Sequence, residues 1–162
     1  MSRVFRVLRK QYARNAFDGE GAYLFGGRWT TPGTRLSYTS EHQSLAMLEY
    51  FVHLDDPPTD LVLAIAEVPE DLSRERVATG DLPSNCRSSP APPQLAAIGD
   101  EFARERKNCL LFVPSILAPQ ENNCLLNPEH ADFKKISIVE IERLSYDSRR
   151  IGERHRHGKR RN

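Results

Sequence analysis

The run Val4-Phe5-Arg6-Val7-Leu8 sets one charged residue opposite its apolar neighbours, the alternation of a half-buried first strand. Residues 9–22 are polar and hold Asp18-Gly19-Glu20-Gly21, a turn-rich loop. After the turn Thr31-Pro32-Gly33, a strand is predicted from Arg35 to Thr39. Ser40 then stands as an N-cap with Gln43 three residues on, the spacing of a capping box, and predicts a helix over 41–53. On that helix Leu45, Leu48 and Val52 share a face. Glu49, four after Leu45 and three before Val52, lies on the same face or at its edge. The apolar stretch Leu61 to Val68 predicts a central strand. Residues 69–93, with five prolines and many serines, predict a long surface excursion, the most mobile part of the body. Leu95, Ile98 and Phe102 make the buried stripe of a helix over 94–106. Cys109 to Val113 is a second buried strand, ending in Pro114-Ser115, and Ile136 to Ile141 a last one. Strands outnumber helices and do not alternate regularly with them. The fold class is therefore α+β, a mixed, largely antiparallel sheet with flanking helices.

Composition narrows the class. A chain of 162 residues, 39% hydrophobic and 28% charged, suits one soluble globular domain with a real core. No apolar run approaches the roughly 20 residues of a membrane span, and Met1 to Lys10 lacks the pattern of a secretory signal. Cys86, Cys109 and Cys124 are odd in number and form no C-x-x-C pair. They read as reduced, buried thiols of a cytoplasmic protein, with neither a zinc site nor a disulfide framework. The net charge of +1 conceals an asymmetry: Arg149 to Asn162 holds seven Lys/Arg against Glu153 alone, so it carries +6 and leaves −5 for residues 1–148. That divides the chain into a domain over 1–149 and a basic, disordered tail over 150–162. An acidic body argues against a protein built to bind nucleic acid, although the tail could touch one or an acidic partner.

The candidate chemistry is concentrated between Gly26 and Glu49. Gly26-Gly27-Arg28-Trp29-Thr30 brings backbone close to something and offers a guanidinium at once. The next strand delivers Tyr38, and the helix carries Glu49. A guanidinium, a phenol and a carboxylate on consecutive elements suit an anionic ligand with a reactive centre beside it. Each residue also has a plain structural reading. Glu49 can be one half of an ion pair with Arg28 or Arg35, Tyr38 a packing aromatic, and Ser115 the cap of a turn. His42 and His53 face solvent, and His130 organises the loop after Asn127-Pro128.

Six blocks taken together resemble a known family. They are Phe17-x-Gly19-x-Gly21-Ala22, Gly26-Gly27-Arg28-Trp29, Tyr38-Thr39-Ser40, Leu45-Ala46-x-Leu48-Glu49, Val113-Pro114-Ser115, and Asn123-x-Leu125-Leu126-Asn127-Pro128-x-His130. In this order they resemble the RES-domain family, the toxins of bacterial RES–Xre toxin–antitoxin pairs, over about residues 4–149. The family takes its name from an arginine, a glutamate and a serine, and Arg28, Glu49 and Ser115 match those places. Thr30 departs from the family's usual Asn, and Cys124 from its frequent aromatic. The resemblance implies a fold similar to ADP-ribosyltransferase toxins, cleavage of the nicotinamide–ribose bond of NAD by water or by phosphate, and growth arrest. It also implies a cognate Xre-type antitoxin that covers the site, and a homodimer within a hetero-oligomer is compatible with it. NAD enters as substrate and phosphate as co-substrate, with no resident cofactor and no metal.

The residues suit that chemistry. A planar arginine such as Arg28 matches a pyrophosphate, and N–H groups of the two glycines could hold the same phosphates. Tyr38 offers a ring to the flat nicotinamide cation, and Ser115 a hydroxyl to the ribose or the nicotinamide amide. Glu49 would stabilise an oxocarbenium-like ribose or orient the incoming nucleophile. Two other functions compete. A mono-ADP-ribosyltransferase acting on protein commonly carries a second acid or Gln two residues before the glutamate, where this chain has Met47. A binding module would use the tail on nucleic acid without catalysis.

Overall fold

The computed structural model describes residues 1–54 and 58–146. The basic tail expected over 150–162 lies outside the described residues. Seven strands form one sheet: β1 (Ser2–Arg9), β2 (Ser37–Ser40), β3 (Leu61–Val68), β4 (Arg74–Arg76), β5 (Leu110–Pro114), β6 (Asn122–Leu126) and β7 (Ser137–Arg143). They lie in the order β4-β5-β6-β2-β1-β3-β7. β4 runs parallel to β5, and every other neighbouring pair is antiparallel. Three α-helices accompany the sheet, α1 (Glu20–Phe25), α2 (Gln43–Phe51) and α3 (Pro93–Glu105). This is the mixed α+β class that the sequence predicts.

β3 is apolar almost throughout because both of its faces are covered. Val62, Ala64 and Ala66 join Val4, Leu8, Leu110 and Cys124 in a cluster that runs across one face of the sheet. The other face is divided. Toward one end α3 lays Leu95 and Phe102 over Leu111, Val113 and Leu125. Toward the other, Ala46 of α2 covers Val7, Leu61 and Leu63. Between these clusters β2 and β6 present Tyr38, Ser40 and Asn123, paired in register as Tyr38 with Leu125 and Ser40 with Asn123. Polar residues at the middle of a sheet face mark a cleft in place of core.

The sheet is also split. β1 pairs with β3 along all eight of its residues, whereas among the described residues β1 and β2 share one paired position, Phe5 with Ser40. Beyond it the strands part. Arg6 spans the gap, its Nη1 donating to Ser37 Oγ at 2.8 Å.

Several local expectations change. α2 begins at Gln43, after His42, which caps without a side-chain bond. Ser40 is the last residue of β2, and its hydroxyl is spent on Asn123 Oδ1 at 2.7 Å, so the capping box does not form. The buried residues of α2 are Leu45 and Ala46, and Val52, just past its end, is half exposed. The loop over 9–22 contains a 3₁₀ turn (Lys10–Asn15) and the start of α1. Residues 69–93 include β4 and a second 3₁₀ turn, and 122–126 is a strand that the sequence pattern did not reveal. Cys109 and Cys124 are fully buried, which pushes their thiols up to about 11 and about 12, while Cys86 is half-buried; all three are free. His130 accepts from the Asp132 N–H at 3.1 Å and organises its loop as expected.

α3 touches the Gly-Gly-Arg-Trp loop at Gly99, where an added Cβ would meet the Trp29 carbonyl oxygen at 1.8 Å. Gly99→Ala gains up to about 1 kcal/mol of helix propensity but forces backbone apart, an overpacking cost of about 1–3 kcal/mol or more. The expected result is a melting temperature lower by several degrees, read by thermal unfolding; an unchanged or higher value would show that α3 and the loop are not in contact.

Candidate active site

Glu49 leaves α2 on the side of Leu45 and Ala46 and reaches over the polar middle of the sheet. Its Oε1 accepts from Ser115 Oγ at 2.8 Å and from Asn123 Nδ2 at 2.6 Å. Both donors are neutral, so the ion pair with Arg28 or Arg35 does not form; Arg35 pairs with Glu20 at 2.5 Å instead. Ser115 is 1% exposed. Its hydroxyl gives its one proton to Glu49 and accepts the N–H groups of Leu117 and Ala118, both at 3.1 Å. The turn cap and the site residue are thus the same atom. Asn123 is held from behind, its Oδ1 accepting from Ser40. The chain Ser40–Asn123–Glu49–Ser115 ties β2, β6, α2 and the end of β5 into one network.

The Gly-Gly-Arg-Trp loop is a tight turn closed by Gly27 N–H to Thr30 O at 2.9 Å. Gly26 sits at φ +68°, where a side chain is strained. A Cβ on Gly27 would lie 2.7 Å from the Tyr38 hydroxyl. Tyr38 is the strut: its hydroxyl accepts the Trp29 N–H at 3.0 Å and shares a 2.9 Å bond with Thr30 Oγ1. Thr30 thereby keeps a polar bond. The N–H groups of Gly26, Gly27 and Trp29 are all bonded internally, so the glycine N–H groups are not free to hold phosphates. Among the described residues Arg28 pairs with no acid. Its Nη1 donates to the carbonyls of Cys86 at 3.0 Å and Ser88 at 3.2 Å, which pins the proline-rich segment beside the loop.

Glu49, Arg28 and Tyr38 line one open cleft of about 1110 Å³, with Ser40 and Asn123 on its wall. The structure therefore brings together all four residues singled out from sequence, with Ser115 behind Glu49. It adds two more. Asn123 belongs to the resemblance block, but its role was hidden because its strand was not recognised. Arg6 also lines the cleft; burial lowers its pKa, Asp18 partly offsets this, and Ser37 takes its hydrogen bond. The single charged residue inside the run Val4–Leu8 was the available signal. His53 and Arg87 reach the rim. Among the described residues no group of three or more His, Cys, Asp or Glu could hold a metal ion, and no helix is long and apolar enough to cross a membrane.

Burial pushes the Tyr38 hydroxyl up to about 12, against the opposing bonds from Thr30 and Trp29. Below pH 10 the group is neutral in both folded and unfolded chains and costs nothing. Between pH 10 and 12 the unfolded chain gives up the proton and the folded one does not, so stability falls with rising pH. Tyr38→Phe is expected to be less stable at neutral pH, having lost both bonds, and to show a shallower loss over pH 10–12 in denaturant titrations. An equally steep loss would assign the alkaline transition to Cys109 and Cys124.

The chain matches the RES domain family over residues 3–147. A protein named Toxin Res, from Yersinia enterocolitica serotype O:8 / biotype 1B, is 36% identical over 148 residues, 90% of this chain and 97% of that protein. A protein named Prs ADP-ribosylating toxin, from Sphingobium sp. strain YBL2, is 36% identical over 146 residues, 88% of this chain and 91% of its own. Among solved structures, the crystal structure of the M. tuberculosis MbcT–MbcA toxin–antitoxin complex shares the fold, with a TM-score of 0.73 at 19% identity over 89% of this chain and 84% of that one. With one family spanning nearly its whole length and full-length relatives above a third identical, the chain belongs to the RES domain family.

Proposed function

We propose that the protein is the toxin of a toxin–antitoxin pair and that it destroys NAD by cleaving the nicotinamide–ribose bond. The observation that carries this reading is Glu49, a carboxylate on a cleft wall oriented by two neutral donors. An ion-paired carboxylate would spend its charge on the protein. This one keeps it for a cation that develops in the cleft.

The substrate's nicotinamide is already a cation. When the bond to ribose C1′ breaks, the electron pair moves onto the ring nitrogen and nicotinamide leaves neutral. No general acid is needed, so a single carboxylate serves where most glycoside hydrolysis uses two. Glu49 stabilises the oxocarbenium-like ribose and aligns the nucleophile. Water attacking C1′ passes its proton to Glu49 and gives ADP-ribose; phosphate attacking C1′ gives the 1″-phosphate. Arg28 and Arg6 are the cations for the pyrophosphate, and the Tyr38 ring lies on the wall that the nicotinamide would meet. Ser115 and Asn123 position Glu49 and need not touch substrate.

A second reading has one supporting observation, the name of the Sphingobium relative: transfer of ADP-ribose to a protein. Against it, Met47 packs with the Val7, Ala46 and Leu61 cluster, so no second acid stands two residues before Glu49. The partner proposed is a protein antitoxin of the Xre type, in a hetero-oligomer holding two toxin copies in the cytoplasm.

The test is NAD turnover by the purified chain with and without phosphate. ADP-ribose means water attacks, and a product formed only with phosphate means phosphorolysis. Labelled protein with no free product would favour the transferase, and no turnover from folded protein would overturn both readings. Glu49→Gln is expected to lower kcat by roughly 100-fold to 10,000-fold with the fold intact. Asn123→Ala should lower kcat by roughly tenfold, and nothing further in the Glu49→Gln background, because the two act as a unit. Additive losses would give Asn123 a role of its own.

A further inference from the structure

Phe25 is 81% exposed, more than any other large apolar residue described. One exposed ring is ordinary on a surface, but two observations set this one apart. It lines the cleft, and the backbone that presents it is held on its C-terminal side. Gly26 N–H donates to Ala22 O at 2.7 Å, and Gly27 closes the turn with Thr30. The ring is therefore offered to the cleft from a fixed main chain.

Its place relative to Glu49 can be traced along bonded groups. Glu49 binds Asn123, and Asn123 binds Ser40. Two residues back along β2, Tyr38 meets Gly27 and the Trp29 N–H. Phe25 stands two residues before Gly27. Phe25 thus reaches the cleft from the Gly26-Gly27-Arg28 turn, and not from the strands and helix that hold the carboxylate. A dinucleotide with its nicotinamide ribose at Glu49 and its pyrophosphate at Arg28 would carry its second base past Arg28, on the side of the cleft that this turn lines. We propose that Phe25 is the platform on which the adenine of the substrate stacks. A flat purine over an exposed ring gains by stacking without hydrogen-bond readout. The inference rests on the NAD-cleaving reading and assigns a lining residue that the reaction itself does not use.

The test compares the wild-type chain with Phe25→Ala and Phe25→Tyr, on NAD and on nicotinamide mononucleotide, which lacks the adenine. In Phe25→Ala, KM for NAD should rise about tenfold with kcat changed less than about twofold, the signature of a binding contact away from the reacting bond. Phe25→Tyr should restore KM, and kcat/KM for the mononucleotide should be the same in all three. Thermal unfolding should match the wild type, since the side chain is exposed. An unmoved KM for NAD, a loss shared by the mononucleotide, or failure of tyrosine to rescue would overturn the assignment. Wild-type protein that does not consume NAD would instead overturn the underlying reading.

Discussion

A carboxylate drawn partly out of bulk water needs hydrogen-bond donors, and the choice of donors decides what it can do. A cation would satisfy Glu49 and cancel its charge. Ser115 and Asn123 satisfy it and leave the charge in place. The arrangement constrains much of the domain. Asn123 must be paired beside Ser40 so that its amide oxygen is occupied and its amide nitrogen points to Glu49. Ser115 must follow β5 directly, where its hydroxyl also closes the turn at Leu117 and Ala118. The start of β6 and the residue just after β5 thus supply the two side chains that serve one oxygen atom.

The cleft that gives this oxygen a purpose comes from a conflict of pairing. β1 is committed to β3 along its length, and β2 to β6. With one shared position, β1 and β2 are free to part. A cluster that crosses one face of the sheet keeps the halves together, while the other face is left open between α2 and α3. Arg6 sits in the parting, a cation on a strand whose neighbours are apolar. Its desolvation is a cost that an anion in the cleft would offset.

What could be read from the chain follows from which signals are local. The long apolar run of β3 and the stripe of α3 are periodic over many residues and were legible to within one or two positions. Ser40 with Gln43 satisfies a capping pattern, yet the hydroxyl is taken by Asn123, 83 residues away, a partner no local rule can see. β6 was missed for a related reason: Asn122-Asn123 at the start of five residues looks like a turn, and only the cleft explains polar side chains in the middle of a sheet. The site residues were legible because the family's blocks are, and the six blocks carried more than propensity did. The blocks did not disclose that Ser115 and Tyr38 spend their hydroxyls on the protein.

That last point sharpens the part played by Arg28. Its Nη1 holds two carbonyls of the proline-rich segment, which gives that segment an anchor at the cleft and argues against reading it as loose. A guanidinium has five N–H donors in a planar fork, and these two bonds engage one nitrogen. The same side chain can therefore brace the turn that carries Arg87 and still present its other edge to a phosphate. Tyr38 fixes the backbone on which Arg28 stands, and Gly99 lets α3 close against it. The arginine is thus positioned from the sheet, from a helix and from the segment it holds, a preorganisation that lowers the entropy lost when an anion binds.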